Sequence, residues 1–345
     1  MFLKILPGIR EKILQYCSCS DLRSLSCCSK EYYQYLKPML WRHLSINLYQ
    51  LSKKDFAHKK RLRNLKHTWR VRFSGDGEGL AESPGHFPCR KKERKIVNNI
   101  MIILKQCDPD VLCAFQISLV KMIVDVEHIV EAVCHMFDQL KIFHITHCSL
   151  TSTSLQSITV LHKLTALNVL GTDIDDDALL LISENLSTLE DLNIGCTKIS
   201  DDGLPYLQNL LKLKTLCLQG CHITNRGVLA ISSLIQLEDV QLSDCLDISD
   251  AGICSLTQLQ CLRRLNISWT MVKDGGVSQL PRLKNLCHLE VVGTALTDNS
   301  VNYFFKIPRL KFLDIRETNI TDIGVEHLLR AKYPDAVCLS GNKCC

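Results

Sequence analysis

The sequence has no long hydrophobic run. Near residue 100 the longest uninterrupted apolar stretch is Ile100-Met101-Ile102-Ile103-Leu104, far short of the roughly 20 residues a membrane helix needs. No membrane span is therefore expected. The opening MFLKILPGIREKIL meets Pro7 and charges at once, so no secretory hydrophobic region is expected either. Charge of one sign is scarce. Lys plus Arg is 41 and Asp plus Glu is 36, a net of +5, too mild to suggest nucleic acid by itself. No phosphate loop, catalytic triad or carboxylate pair occurs at interpretable spacing. A non-catalytic chain without a cofactor is the expectation. Cysteine, by contrast, is plentiful. The 19 cysteines are an odd number, well below the density of a disulfide scaffold. They fit reduced thiols and a cytoplasmic or nuclear location. Apolar residues make up 46% and charged residues 22%, enough for a large core.

What the chain does have is a repeat. The segment Leu164-Thr-Ala-Leu167-Asn-Val169-Leu-Gly-Thr172-Asp-Ile174 returns at Leu189 and at Leu213, with later copies beginning at Leu237, Leu262, Leu286 and Leu310. An earlier copy begins at Leu140, and a truncated one runs Pro334, Val337, Leu339, Asn342. The period alternates between 24 and 25 residues. This is the leucine-rich-repeat pattern LxxLxLxx(N/C/T)xL. Leu167 and Val169 alternate on a short strand and point inward, while Asn168 points out. Cys148, Thr172, Thr197, Cys221, Cys245, Thr270, Thr294 and Thr318 hold the turn position, where a small polar group can bond the backbone of neighbouring coils. The second half of each copy, as in Asp202-Gly203, Arg226-Gly227 and Ala251-Gly252, precedes a helical stretch. Asp or Asn is expected to cap that helix and Gly to ease its tight entry. One coil cannot bury its apolar edge alone, so the stacked array forms one continuous core. The expected fold is α/β, a leucine-rich-repeat solenoid with a curved parallel sheet and convex helices, over residues 111–345. Weaker strand signals lie at Leu44-Ser-Ile46, Trp69-Arg-Val71 and Phe115-Gln-Ile117. They make residues 45–110 transitional repeats with a flexible insertion at about 74–95, where Gly75, Gly77, Gly79, Pro84, Gly85 and Pro88 cluster.

The N-terminus reads as three short helices, with Pro7 in a first turn, Ser20 as a cap, and Tyr32, Tyr35 and Leu36 on an apolar stripe. Three such helices are too small for a strong core, so an apolar face that takes a partner is expected. The spacing LP…I-L…D-L…L…S-K-x-Y-Y…L-W-R-x-L over residues 4–44 resembles an F-box. Ile9 stands where that family often has an acidic residue, and Tyr32 where Trp is common. An F-box followed by leucine-rich repeats resembles the F-box/LRR substrate receptors of SCF-type cullin-RING ubiquitin ligases. The resemblance implies that the F-box docks on a Skp-family adaptor and, through it, on a cullin-RING ligase. By position, Leu6, Pro7, Ile13, Leu14, Leu22, Leu25 and Trp41 would make or support that contact. The repeat arc would hold an unknown protein substrate for ubiquitination. Two alternatives stay open. The N-terminal helices can cap the first coil of the solenoid, and the repeats can serve as a scaffold or inhibitor without a ligase role.

Residues 53–95 hold 14 Lys or Arg and 5 Asp or Glu. The segment thus carries +9 and the other 302 residues −4. The segment reads as a solvated charged surface, with a patch for nucleic acid, acidic lipid or an acidic partner as the sharper alternative. His144-x-x-His147-Cys148, Cys17/Cys19 and Cys27-Cys28 match no paired zinc spacing, and no metal is expected. The terminal Cys344-Cys345 resembles a doubly prenylated tail but is not CaaX. Asn342 already fills a repeat position, so the tail is very short, and chance in a cysteine-rich chain is the plainer reading.

A substrate would sit on the inner, strand-lined surface. About ten strands at roughly 4.8 Å spacing give an arc near 45 Å, enough for a peptide or a folded domain. The outward residues expected there are Asp239, Gln241, Asp244, Arg264, Asn266, Trp269, His288, Glu290, Asp314 and Arg316. Their mixed signs suggest a polar protein surface. Trp269 stands out, because the equivalent places hold small residues such as Cys196, Gly220 and Gly293. It reads either as a binding hot spot or as a shield over a coil edge.

Overall fold

A computed structural model describes residues 44–46, 68–73, 114–119, 126–331 and 337–338. The F-box-like segment, with Leu6, Pro7, Ile13, Leu14, Leu22, Leu25 and Trp41, lies outside the described residues, as do Cys344-Cys345 and most of the basic stretch. Twelve strands form one parallel sheet in strictly sequential order. They are β1 Leu44–Ile46, β2 Thr68–Phe73, β3 Ala114–Leu119, β4 Ile142–Thr146, β5 Ala166–Asn168, β6 Asp191–Asn193, β7 Thr215–Cys217, β8 Asp239–Gln241, β9 Arg264–Asn266, β10 His288–Glu290, β11 Phe312–Asp314 and β12 Val337–Cys338. Leu44 pairs with Trp69, and Trp69 with Phe115. The three weak strand signals therefore join the same ladder as the regular copies.

Each strand is short because the chain must turn back within a 24- or 25-residue coil. The alternation Leu-x-Val or Leu-x-Ile buries two side chains and exposes the one between. Leu167, Val169, Leu192, Ile194, Leu216 and Leu218 are all fully buried. Coil stacking makes these rows continuous from Phe115 and Phe143, whose rings stack 5.6 Å apart, to Leu313 and Ile315. At roughly 1.5–3 kcal/mol for each buried aliphatic side chain, this spine outweighs any local interaction.

The turn position behaves in two ways. The hydroxyls of Thr172, Thr197, Thr270, Thr294 and Thr318 donate to the carbonyl three residues back in their own coil, at 2.6–2.7 Å. The thiols of Cys221 and Cys245 instead donate to Ile194 and Leu218 of the preceding coil, both at 3.2 Å. The expected bond to a neighbouring coil is thus made by cysteine. Threonine closes its own turn.

The helix entries differ from the sequence expectation in a second respect. The N-caps are Thr151, Asp175, Thr224, Ser249, Lys273 and Thr297. The recurring Asp or Asn sits one residue further on, and its side chain serves the next coil. Asp176, Asp201, Asn225, Asp250, Asp274 and Asp298 accept the backbone N–H of Ser200, Thr224, Ser249, Lys273, Thr297 and Thr321 at 2.7–2.9 Å. Where the next residue has a hydroxyl, the carboxylate takes that too, as Asp201 does from Thr224 at 2.6 Å. These six rungs explain the glycines. A Cβ on Gly203, Gly227 or Gly324 would lie 2.3 Å from the preceding coil's carboxylate. The glycine is required by this close approach and not by an unusual φ.

Candidate functional site

The inner face carries one outward side chain per strand in its central row. From β4 to β7 these are His144, Asn168, Asn193 and Cys217. From β8 to β11 they are Gln241, Asn266, Glu290 and Asp314. The second half gathers the charge. Asp239 is buried at 7% exposure; the Arg264 guanidinium reaches it at 2.6 Å, and Gln241 Nε2 donates to its other oxygen at 2.6 Å. One strand on, Asn266 Nδ2 donates to Glu290 at 3.0 Å, and His288 Nε2 lies 2.8 Å from the other Glu290 oxygen. The His288 ring stacks on Phe312 with centroids 4.0 Å apart and 6° between planes. Asp314 is 2% exposed and is held by Arg316 Nε at 2.9 and 3.0 Å and by Nη2 at 2.6 Å.

Asp239 and Asp314 were expected as outward residues of the inner face. Both are buried, because an arginine folds over each and replaces its water. A bare buried carboxylate would cost far more than the pair does. The residues therefore form three neighbouring groups on β8–β11: Asp239–Gln241–Arg264, Asn266–Glu290–His288 and Asp314–Arg316. Asp191, one strand before this cluster's register partners, is an acid the candidate set omitted. The packed strands around this exposed residue displace bulk water and raise its carboxyl pKa, and the Asp239 charge raises it further against the pull of Arg264.

Asp244 and Trp269 lie elsewhere, in the turns where the chain leaves the strands. Both have left-handed backbones, at φ 61° and 56°. They belong to a column in which His147, Cys196 and Glu317 share this conformation with Gly171, Gly220 and Gly293. Each coil from β4 to β11 makes the same left-handed turn, and only some use glycine. The periodic glycines are the sequence signal for this column. A tryptophan there costs roughly 1–2 kcal/mol relative to a relaxed backbone. Its indole lies over Gly293, where an added Cβ would meet the ring at 2.4 Å, yet 48% of the residue stays exposed. Trp269 thus covers a coil edge and presents a ring face to solvent. Leu246 and Met271, in the adjoining turns, are 67% and 61% exposed; sequence reasoning missed both, since each replaces a polar turn residue in only one coil. Asp244 accepts from Gln219 Nε2 at 3.1 Å.

Among the described residues, no group of three or more His, Cys, Asp or Glu side chains is arranged to hold a metal. No helix there is long and apolar enough to cross a membrane.

A family model described as "Leucine Rich repeat" matches residues 185–207 and 209–232. Two solved structures share the fold. An internalin from Listeria monocytogenes aligns at 20% identity and TM-score 0.50, over 66% of this chain and 61% of the internalin. A chain of the yeast Rad7 and Elc1 complex aligns at 15% identity and TM-score 0.55, over 96% of this chain and 90% of its own length. The chain carries leucine-rich repeats and shares the solenoid fold of these structures.

Proposed function

We propose that this chain is the substrate-recognition subunit of an SCF-type ubiquitin ligase. Its N-terminal segment would bind a Skp-family adaptor and its inner face would bind the protein to be ubiquitinated. The observation that carries the reading is the order of modules: F-box-like residues 4–44 stand directly before a solenoid whose inner face is chemically varied. A twelve-strand arc is far larger than a metabolite requires. It combines charged groups with an exposed aromatic ring, the mixture found at protein interfaces. The yeast neighbour of similar fold was solved in a complex with a second protein, which agrees with a role in an assembly. The reading assigns the chain no chemistry of its own and places it in the cytoplasm or nucleus, where ligase and substrate meet.

The test is affinity capture of tagged full-length protein beside the double variant Leu6→Ala/Pro7→Ala, read by mass spectrometry. Adaptor and cullin peptides should accompany the parent and vanish from the variant. Substrates should be retained by both. Capture of one stoichiometric partner with no adaptor in either sample would overturn the ligase role and leave a binding scaffold.

A further inference from the structure

Immediately before each strand, one residue per coil forms a row along the rim of the solenoid opposite Trp269. In successive coils the row reads Glu190, Lys214, Glu238, Arg263, Cys287, Lys311. Backbone hydrogen bonds keep it in step: each N–H donates to the carbonyl one coil earlier, at 2.7–2.9 Å. Charges alternate, and neighbours pair. Lys214 meets Glu190 at 2.8 Å and Arg263 meets Glu238 at 3.2 Å. The alternation then breaks. Where the pattern calls for a carboxylate, Cys287 supplies a short thiol, which donates to the Arg263 carbonyl at 3.4 Å. Lys311 is exposed and has no carboxylate partner among the described residues. Beside it, Arg309 is steadied by Asn285 Oδ1 at 2.9 Å and likewise has no carboxylate partner there. The short thiol leaves an open cleft of about 530 Å³ bordered by Arg263, Cys287, Arg309 and Lys311.

We propose that this cleft binds a single phosphorylated serine or threonine carried by a peptide segment of a partner protein. Size and charge both fit. The volume falls within the range of ligand sites. Glu238 offsets Arg263, so Arg309 and Lys311 leave two positive charges. A phosphoryl group brings roughly −1.5 to −2, and a guanidinium fork matches its oxygens better than it matches a lone carboxylate. The row also limits the ligand to one phosphate. On one side Glu238 and then Glu190 repel further negative charge. A nucleic-acid backbone or a sheet of acidic headgroups laid along the rim would run into these acids. The site is independent of the ligase reading and of the inner face, since it lies on the opposite rim from Trp269 and uses none of the same side chains.

The probe is a degenerate peptide library with one fixed phosphoserine, passed over immobilised full-length protein beside the same library without phosphate. The phosphorylated pool should be retained at least about tenfold better, since charge-assisted bonds are worth roughly 1.5–3 kcal/mol each. Excess inorganic phosphate should displace it. Cys287→Glu restores the alternating pattern and should abolish the preference, while Cys287→Ser should keep it. Arg309→Gln/Lys311→Gln removes the cations without adding bulk and should act like Cys287→Glu; unchanged circular dichroism confirms that each variant is folded. Equal retention of both pools, retention of neither, or a preference that survives both Cys287→Glu and the double variant overturns the proposal. So does tighter binding of single-stranded DNA or of phosphatidylserine vesicles that is lost in the same variants.

Discussion

The solenoid carries acids on two sides, and the two sets bind different things. On the helix-entry side, Asp176, Asp201, Asp250, Asp274 and Asp298 accept backbone N–H groups of the next coil. On the strand side, Asp239 and Asp314 are bound by the arginines Arg264 and Arg316. A backbone N–H at a coil junction has no other acceptor, so the first set is fixed to the stacking of coils. An arginine that is about half exposed, as Arg264 and Arg316 are, can turn to water or to a partner. The first set therefore holds the solenoid together, and the second is available for recognition.

The largest expected effect breaks the first set. Asp201 is 8% exposed and accepts both the N–H and the hydroxyl of Thr224. Asp201→Ala strands a buried donor and removes charge-assisted bonds, a loss of about 3 kcal/mol. That lowers the melting temperature by roughly 6–12 °C for a unit of this size. Gly227→Ala should cost about 1–3 kcal/mol, because its Cβ would lie 2.2 Å from Ile223 and 2.3 Å from Asp201. On the strand side, Glu290→Gln keeps its shape and both neighbours, and should change stability by under about 0.5 kcal/mol. Thermal melts by circular dichroism decide it; equal losses at Asp201 and Glu290 would erase the distinction.

Trp269 sharpens the comparison, because there stability and binding are expected to move apart. Trp269→Gly relieves the left-handed strain at φ 56°, roughly 1–2 kcal/mol, but uncovers Gly293. The two should nearly cancel in the melt. Trp269→Ala keeps the strain and loses the cover, so it should melt lower than Trp269→Gly. Partner capture should fall about tenfold or more in both, as for a buried aromatic anchor. Capture unchanged in both variants would leave Trp269 as a cover for the coil edge and nothing more.

These cases mark what the sequence could reveal. The strands, their register and the buried rows were legible because period-two alternation inside a 24- or 25-residue repeat has one physical solution. The charged residues of β8–β11 were legible as outward positions for the same reason. Their pairing was not. Whether Arg264 covers Asp239 or faces solvent depends on a rotamer and on a neighbour 25 residues away. Asp175 does cap its helix, but the acids one residue further on were misread as caps, because spacing of one residue separates a cap from a rung to the next coil and only the coil-to-coil distance distinguishes them. The entry glycines were recognised for the wrong reason: the constraint is an oxygen of the preceding coil, which no single repeat contains.

Cysteine reactivity offers a smaller effect on the same axis. Burial pushes the Cys134, Cys148 and Cys245 thiols up to about 12 and Cys217 to about 11, leaving almost no thiolate near neutrality. The exposed Cys196, Cys254 and Cys261 should alkylate with iodoacetamide in the native protein, the half-buried Cys217 more slowly, and the buried Cys134, Cys148 and Cys245 only on unfolding. Peptide mass spectrometry distinguishes the sets, and native labelling of the buried Cys245 would mean that the coil stack opens there.

The smallest effect is electrostatic. Asp191 lies on the inner surface, where packed strands displace bulk water although the side chain remains accessible. Its carboxyl is raised above the ordinary 3.8 by that loss of water first and by the Asp239 charge second. The folded state therefore holds this proton more tightly than the unfolded chain does. Between the ordinary and the raised value stability falls as pH rises, and above it the charged form carries a constant penalty. Asp191→Asn removes that penalty. It should melt slightly higher than the parent at pH 7, and the gap should close as pH drops below the ordinary carboxylate range. No gap at pH 7 would mean that Arg264 serves both Asp239 and Asp191, and the strand-side acids would then form one coupled cluster in place of separate pairs.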